Sequence, residues 1–424
     1  MIHFVTARKD HNYTRTASIY EARKYMKDLA QRREFIAIDI ETNGLDPYQD
    51  DILLIAAGDY NNQYVFDMTS YDVRAIFDGL PWYAGFIGHN IKFDHKFFQA
   101  SGQAPKMPFL YDTMIVEQII SQGDKTRRNN YAATVLRRTG KKILKDVRSE
   151  FINMACDEST VFEPRHIMYT GGDIKYLHPI RLAQLKFIQK YNLEERLDIE
   201  LALIPVISSM ELRGINLDEI SWKDNITINR KLADDLQSRM DIELRDQAAK
   251  FSIDLPKYTK PRVHKDYVVS DLFSGDTVVR AESDHNTNYG SPEQIKEVFR
   301  DFGLPLPMDK HGKVTVGKEV MQQYNILHYN NPLSDFINLY LQYIKVRKKL
   351  TSFGENILKM RHPVTGGIHT IYKQCSTSTG RFASGDTKNG HPNMAQIPRE
   401  NQYRIPFKAR PGYKIMTIDF TGCE

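Results

Sequence analysis

Residues 34–41 read EFIAIDIE, an apolar run interrupted by two carboxylates two positions apart. A run of this kind, bounded by turn-forming residues, reads as a buried strand. Side chains alternate along a strand, so Asp39 and Glu41 project from one face, about 7 Å apart along it. Two carboxylates on one face of an apolar strand are costly unless compensated, and a divalent cation compensates them. Working outward, DILLIAAGD (51–59) and QYVFDM (63–68) read as further strands, and GFIGHNIKF (85–93) as a strand running into a helix start. DTMIVEQIISQ (112–122) and IKYLHPIRLAQLKFIQKY (174–191) have helical spacing. Strands and helices mixed in this order predict an α/β (mixed) domain over 33–192, behind a polar lead-in at 1–32.

Two further pieces of the first half bear on the same face. Asp94 closes HNIKFD near a predicted helix start, within reach of the first pair, and Tyr169 and Asp173 are four apart, so on a helix they share a face. Gly171 and Gly172 stand between them; each weakens a helix by about 1 kcal/mol relative to Ala, and such glycines allow close backbone approach.

Composition bounds the rest. The chain has 424 residues, 41% hydrophobic and 26% charged, which predicts a folded protein of two or three domains. No stretch approaches the ~20 apolar residues of a membrane span, and Cys156, Cys375 and Cys423 are too dispersed for a disulfide framework or a zinc site. No Walker A or GxGxxG string is present. A soluble protein of a reducing, cytoplasmic compartment is expected. From Lys345 onward there are 14 basic against 5 acidic residues, leaving 44 against 48 in the rest, and a basic stretch of this kind is a candidate phosphate-backbone surface.

Beyond 192 helices dominate to about 250, with a break at ELRGINLD (211–218). Residues 252–290 are polar and irregular in pattern, an insertion or loop-rich subdomain. SPEQIKEVF (291–299) opens with an N-cap Ser and Pro at the first helical position, and a long helix is predicted over 332–360. IHTIYKQCS (368–376) and YKIMTIDF (413–420) read as strands.

DIETNGLDP, NIKFD and YTGGD resemble the three motifs of the proofreading 3′–5′ exonuclease family, which has four acidic residues on a ribonuclease H-like fold. The resemblance is to the tyrosine subclass: the histidine subclass carries His five before the last Asp, where Met168 stands, and His166 is off-register. It implies phosphodiester hydrolysis assisted by two metal ions about 3.5–4 Å apart. Asp39, Glu41 and Asp173 would ligate the first ion, Asp39 and Asp94 the second, and Tyr169 would orient the attacking water. Hard oxygen ligands favour Mg²⁺, with Mn²⁺ as substitute. Aromatic stacking would hold the single-stranded 3′ end, with Phe93, Phe97 and Phe98 as the nearby aromatics and core packing expected for at least two of them.

The second half resembles family A DNA polymerases, in their bacteriophage branch. STGRF (378–382), PNMAQIP (392–398) and IDFTGCE (418–424) are similar to that family's TGR…NLQNIP segment and palm motif A. The resemblance implies a thumb over 193–360 and an incomplete palm over 361–424, with Asp419 as a catalytic, metal-holding palm carboxylate and Glu424 crowding the nucleotide sugar. Arg381 would contact the primer end, and Lys345, Arg347, Lys348 and Lys349 the template–primer DNA backbone. The fingers helix and the second palm carboxylate fall outside this sequence. A partial or split polymerase is therefore expected, completed by a second polypeptide, with the 252–290 insertion as a possible seat for a processivity factor, working in a bacterial host cytoplasm or nucleoid. Two rivals are a stand-alone exonuclease of the ribonuclease D type, which TGRF and IDFTGCE oppose, and a DNA-binding scaffold, which the intact carboxylates oppose.

Overall fold

The computed structural model describes every residue except 123, 125, 144–146, 260–263, 272–274, 283–286, 329 and 419–424, and within 259–286 the backbone alone. The motif A carboxylates Asp419 and Glu424 thus lie outside the described residues. The chain divides into two compact units, one of residues 1–215 and 362–396, the other of 216–361 and 397–424.

The first unit is built on strands β1 (Ile2–Val5), β2 (Ile36–Thr42), β3 (Ile52–Gly58), β4 (Gln63–Asp67), β5 (Gly85–Gly88) and β6 (Phe109–Asp112). Its helices are α1 (Ile19–Gln31), α2 (Val73–Phe77), α3 (Ile91–Ala100), α4 (Thr113–Ser121), α5 (Tyr131–Thr139), α6 (Pro164–Lys175), α7 (Leu177–Lys190) and α8 (Glu194–Arg213). The sheet runs β1-β4-β3-β2-β5-β6, with β3 antiparallel to both of its neighbours and the other pairs parallel. Every strand expected from the first half forms. Ile36, Ile38, Leu54, Phe66 and Phe86 are fully buried between the helical layers. A sheet covered on both faces reads as continuous apolar runs, which is what EFIAIDIE and DILLIAAGD are.

Residues 1–32 are more than a lead-in. β1 pairs with β4 along its whole length, and α1 buries Ala22, Met26 and Leu29 after a capping box between Ser18 and Glu21. Residues 362–396, expected with the palm, belong to this first unit; Ile368 and Ile215 exchange backbone hydrogen bonds of 2.8 and 2.9 Å. The strand expected over 368–376 shrinks to a two-residue ladder in which Tyr372–Lys373 pairs with Ala383–Ser384.

The second unit holds β7 (Asn216–Leu217), α9 (Glu219–Lys250), α10 (Pro256–Thr259), β8 (His264–Asp271), β9 (Gly275–Glu282), α11 (Pro292–Asp301) and α12 (Lys318–Leu327). It continues with α13 (Ser334–Phe353), α14 (Glu355–Lys359), and, past the two strands β10 (Tyr372–Lys373) and β11 (Ala383–Ser384) of the first unit, α15 (Asn401–Arg404) and β12 (Phe407–Lys408). Its own core joins Leu236, Met240 and Leu244 of α9 to Phe299, Phe336 and Ile337. Trp222 is fully buried against Tyr403 and Phe407, and its indole N–H donates to the Gly354 carbonyl at 3.2 Å. The long helix expected over 332–360 breaks at Gly354, whose ψ of −131° leaves the helical region and where a Cβ would lie 2.1 Å from the Leu350 carbonyl oxygen.

Two expectations are corrected here. The 252–290 stretch is not irregular throughout: β8 and β9 form an eight-pair antiparallel hairpin. The strand expected at 413–420 is absent over 413–418, where Tyr413, Ile415, Met416 and Ile418 are exposed. A strand is fixed by its ladder partner, and among the described residues none pairs with this segment. Among the described residues no helix is long and apolar enough to cross a membrane.

Candidate functional site

β2 carries Asp39 and Glu41 on one face, while Ile40 between them points into the core at 5% exposure. The ladder to β3 shifts register between Glu41 and Thr42, where the strand leaves the sheet. α6 packs across β2, β3 and β4 and brings Asp173 to this pair. One carboxylate oxygen from each of Asp39, Glu41 and Asp173 lies within 4.8 Å of the others. Tyr169, one turn earlier on α6, is also buried, and its ring meets that of Phe151 at 6.2 Å between centroids.

α6 is positioned by its first turn. Pro164 sits at the opening of the helix, and His166 Nδ1 accepts from the Glu163 N–H at 3.0 Å. His166 Nε2 therefore carries the proton and donates to Glu150 at 2.9 Å. The histidine that sequence alone places off-register is thus engaged in capping, and Met168 is 59% exposed.

Asp94 approaches from α3. It is 3% exposed, and its Oδ1 accepts from the Ile40 N–H at 2.9 Å, so it seats against the backbone between the two β2 carboxylates. The start of α3 is fixed by Asp112, whose Oδ1 accepts from the N–H groups of Asn90, Met114 and Ile115 at 3.0, 2.8 and 3.2 Å. Asn90 has φ 66°, a left-handed turn that lets the chain pass from β5 into the helix. In sequence Asp112 appears only as the first residue of DTMIVEQIISQ; its role in holding the Asp94 loop needed the fold. Of the three aromatics, Phe97 and Phe98 are in the core and Phe93 is half-buried, its ring tilted 47° against that of Phe97 at 4.9 Å between centroids.

The electrostatics follow from this crowding. Burial first, then the charge of Asp39, holds the Asp94 carboxyl well above the usual carboxylate range. Burial, then the charges of Asp173, Glu41 and Asp39, raise the Tyr169 phenol far above its ordinary value. At neutral pH Tyr169 is therefore a neutral hydroxyl, able to donate and accept but not to act as a phenolate. Carboxylates brought together from β2, α3 and α6, all hard oxygen donors, form a donor set suited to divalent metal ions.

The polymerase-side residues are placed separately. Arg381 lies on an exposed stretch of the first unit, its carbonyl accepting from the Thr377 hydroxyl at 2.8 Å. In the second unit Lys345, Arg347 and Lys348 are exposed on α13, and Gly290 leaves room for the Arg347 guanidinium, which a Cβ there would meet at 2.7 Å. Lys349 differs: it pairs with Glu400 at 2.8 Å and lies over the Tyr403 ring.

Comparison with known proteins agrees with both halves. Residues 15–183 match the family described as 3′–5′ exonuclease, and residues 274–424 match DNA polymerase family A. DNA polymerase I of Borreliella burgdorferi is 23% identical over 93% of this chain and 39% of its own length; that of Aquifex aeolicus is 22% identical over 92% and 58%. The chain thus spans about two-fifths to three-fifths of these relatives. The POL domain of Pol1 from M. smegmatis, solved in complex with DNA primer-template and dNTP, superposes with a TM-score of 0.60 at 16% identity, over 92% of this chain and 58% of that one. That likeness shows the shared fold. An exonuclease-family match in the first half and a polymerase-family match in the second together support a family A DNA polymerase with a 3′–5′ exonuclease domain ahead of its polymerase-family region.

Proposed function

We propose that the first unit removes nucleotides from the 3′ end of DNA, as the proofreading part of a family A polymerase to which residues 274–424 contribute. The observation that carries this reading is the convergence of Asp39, Glu41 and Asp173 within 4.8 Å beneath Tyr169, with Asp94 seated on the Ile40 N–H. The donor set suits two divalent ions, Mg²⁺ in the cell: Asp39, Glu41 and Asp173 would hold one, Asp39 and Asp94 the other. Such ions, when bound, lower the pKa of water and neutralise charge on the departing 3′ oxygen.

The protein's own part is positioning. The Tyr169 hydroxyl, protonated at neutral pH, orients a water by hydrogen bonding while its ring stays packed on Phe151. Phe93, half-buried beside Asp94, offers the one partly open aromatic face of the α3 trio for a 3′-terminal base. The exposed cations of α13 fit the backbone of duplex template–primer, and Arg381 the primer strand; DNA binding as such is supported by the M. smegmatis neighbour, solved with DNA primer-template. Asp419 and Glu424 are proposed, on motif A, for the metal and nucleotide of the polymerase reaction.

The test is incubation of the chain with 5′-labelled single-stranded and primer–template DNA and Mg²⁺. Stepwise shortening from the 3′ end is expected, abolished in Asp39→Ala and slowed roughly 10- to 100-fold in Tyr169→Phe. Shortening that persists in Asp39→Ala would remove the site from the reaction.

A further inference from the structure

A buried charge cluster that the mechanism leaves unused lies directly behind α3. Glu211 of α8 has a side chain only 2% exposed, yet it faces two lysines of the helix that carries Asp94. Its Oε1 accepts from Lys92 Nζ at 2.5 Å, and its Oε2 lies 2.9 Å from Lys96 Nζ. Lys92 and Lys96 flank Asp94 at two residues on either side, and both are largely buried. Lys92 Nζ also donates to the Tyr372 carbonyl, the Tyr372 N–H donates to Glu211 Oε1 at 2.7 Å, and the Glu211 carbonyl accepts from His369 Nδ1 at 2.8 Å.

A buried carboxylate with two ammonium partners is retained for geometry more than for net stability, since desolvation offsets most of the attraction. Here the geometry is specific. α3 touches β2 through Asp94 and touches α8 through the two lysines, so its position is set from both sides. The partner on the far side is the 369–374 stretch, where Gln374 donates to the Glu200 carboxylate at 2.7 Å. That stretch lies within the region matched to polymerase family A.

We infer that Glu211 is a positioning residue for the exonuclease site: gripping Lys92 and Lys96 on one side and the Tyr372 backbone on the other, it holds Asp94 in register with β2 and makes that register depend on the 362–396 segment. This rests on the reading of Asp94 as a metal ligand. Charge is the active element, because Gln at 211 keeps the Oε1 acceptor that the Tyr372 N–H and Lys92 Nζ share but lacks the negative charge that pairs both lysines. Loosening α3 weakens the ion that Asp94 shares with Asp39, because Asp94 moves with the helix while Asp39 stays on β2.

The test is a calorimetric titration of the full chain with Mn²⁺, paired with exonuclease kinetics on a single-stranded oligonucleotide. Glu211→Gln is expected to raise the Mn²⁺ dissociation constant of the weaker site roughly tenfold, the scale of changes behind a ligand shell, with a parallel rise in the Mn²⁺ concentration that half-saturates the exonuclease rate. In an Asp94→Asn background the same substitution is expected to change Mn²⁺ binding no further, a non-additivity that general destabilisation does not produce. Unchanged Mn²⁺ binding in Glu211→Gln, or an equal effect in both backgrounds, overturns the positioning role alone. Failure of the unmodified chain to bind Mn²⁺ overturns the metal reading and this one with it. Should Glu211→Gln not fold, Lys96→Gln decides by the same criteria.

Discussion

Asp94 has one oxygen on the Ile40 N–H, almost no exposure, and the charge of Asp39 close by, so the metal-free fold favours its protonated form. Unfolding returns it to an ordinary carboxylic acid with a pKa near 3.8. Above that value the folded state binds the proton that the unfolded state has released. Its stabilising contribution is complete below the ordinary value and is lost as pH rises through the raised one. In chelator the melting temperature should therefore decline from mildly acidic toward alkaline pH, and Asp94→Asn should flatten that decline. At pH 8 the variant is expected to melt above the unmodified chain while its exonuclease rate falls at least roughly a hundredfold. A lower melting temperature for metal-free Asp94→Asn at pH 8 would contradict the burial argument. The same residue illustrates stability given up for function: a carboxylate kept where only a cation makes it comfortable.

At the scale of elements, α6 holds two glycines side by side with opposite surroundings. A Cβ on Gly171 would lie 2.8 Å from Ile2 Cγ2, so the helix approaches β1 only because no side chain intervenes; Gly172 has nothing within 4 Å. Gly172→Ala is expected to stabilise the chain by about 0.5–1 kcal/mol through helix propensity. Gly171→Ala gains the same propensity but overpacks against Ile2, and a net loss of about 1 kcal/mol is expected. Urea denaturation of the two variants side by side checks the pair; equal stabilisation would mean that β1 yields freely. The close approach was legible in YTGGD, but its partner was not. IHFV is four residues long, too short for alternation to separate an edge strand from a polar leader, so β1 emerged only with the sheet. β2, β3 and β4 were legible because burial on both faces writes itself as unbroken apolar runs. The β8–β9 hairpin was not, since HKDYVVSD and GDTVVRAE are rich in charges and, among the described residues, the two strands pair only with each other. The His166–Glu150 contact and the seat of Glu211 behind Asp94 span 16 and 119 residues of sequence, which no local pattern encodes.

At the scale of the whole molecule, the chain alternates between its two units, returning to the first for 362–396 before finishing in the second. Motif reading assigned functions to segments, whereas packing assigned segments to cores, and 362–396 is where those two divisions part. Charge is organised on the same scale: 14 of the 58 basic residues and 5 of the 53 acidic ones lie from Lys345 onward. A polarity of this kind serves phosphate binding without base readout, because each contact releases condensed counterions whatever the sequence. On α13 the contribution divides by exposure. Lys345, Arg347 and Lys348 are open, whereas Lys349 is engaged with Glu400 and Tyr403. Replacing the three open residues together by Gln should therefore lower the slope of log affinity for duplex DNA against log salt by about 2–3, close to one per lost phosphate contact. Lys349→Gln should leave that slope nearly unchanged and instead destabilise the second unit, by no more than about 1 kcal/mol for a partly exposed pair. Titrations of a labelled primer–template across salt concentrations separate the two outcomes: a triple variant with weaker binding but the wild-type slope would place the phosphate-binding surface elsewhere on the chain.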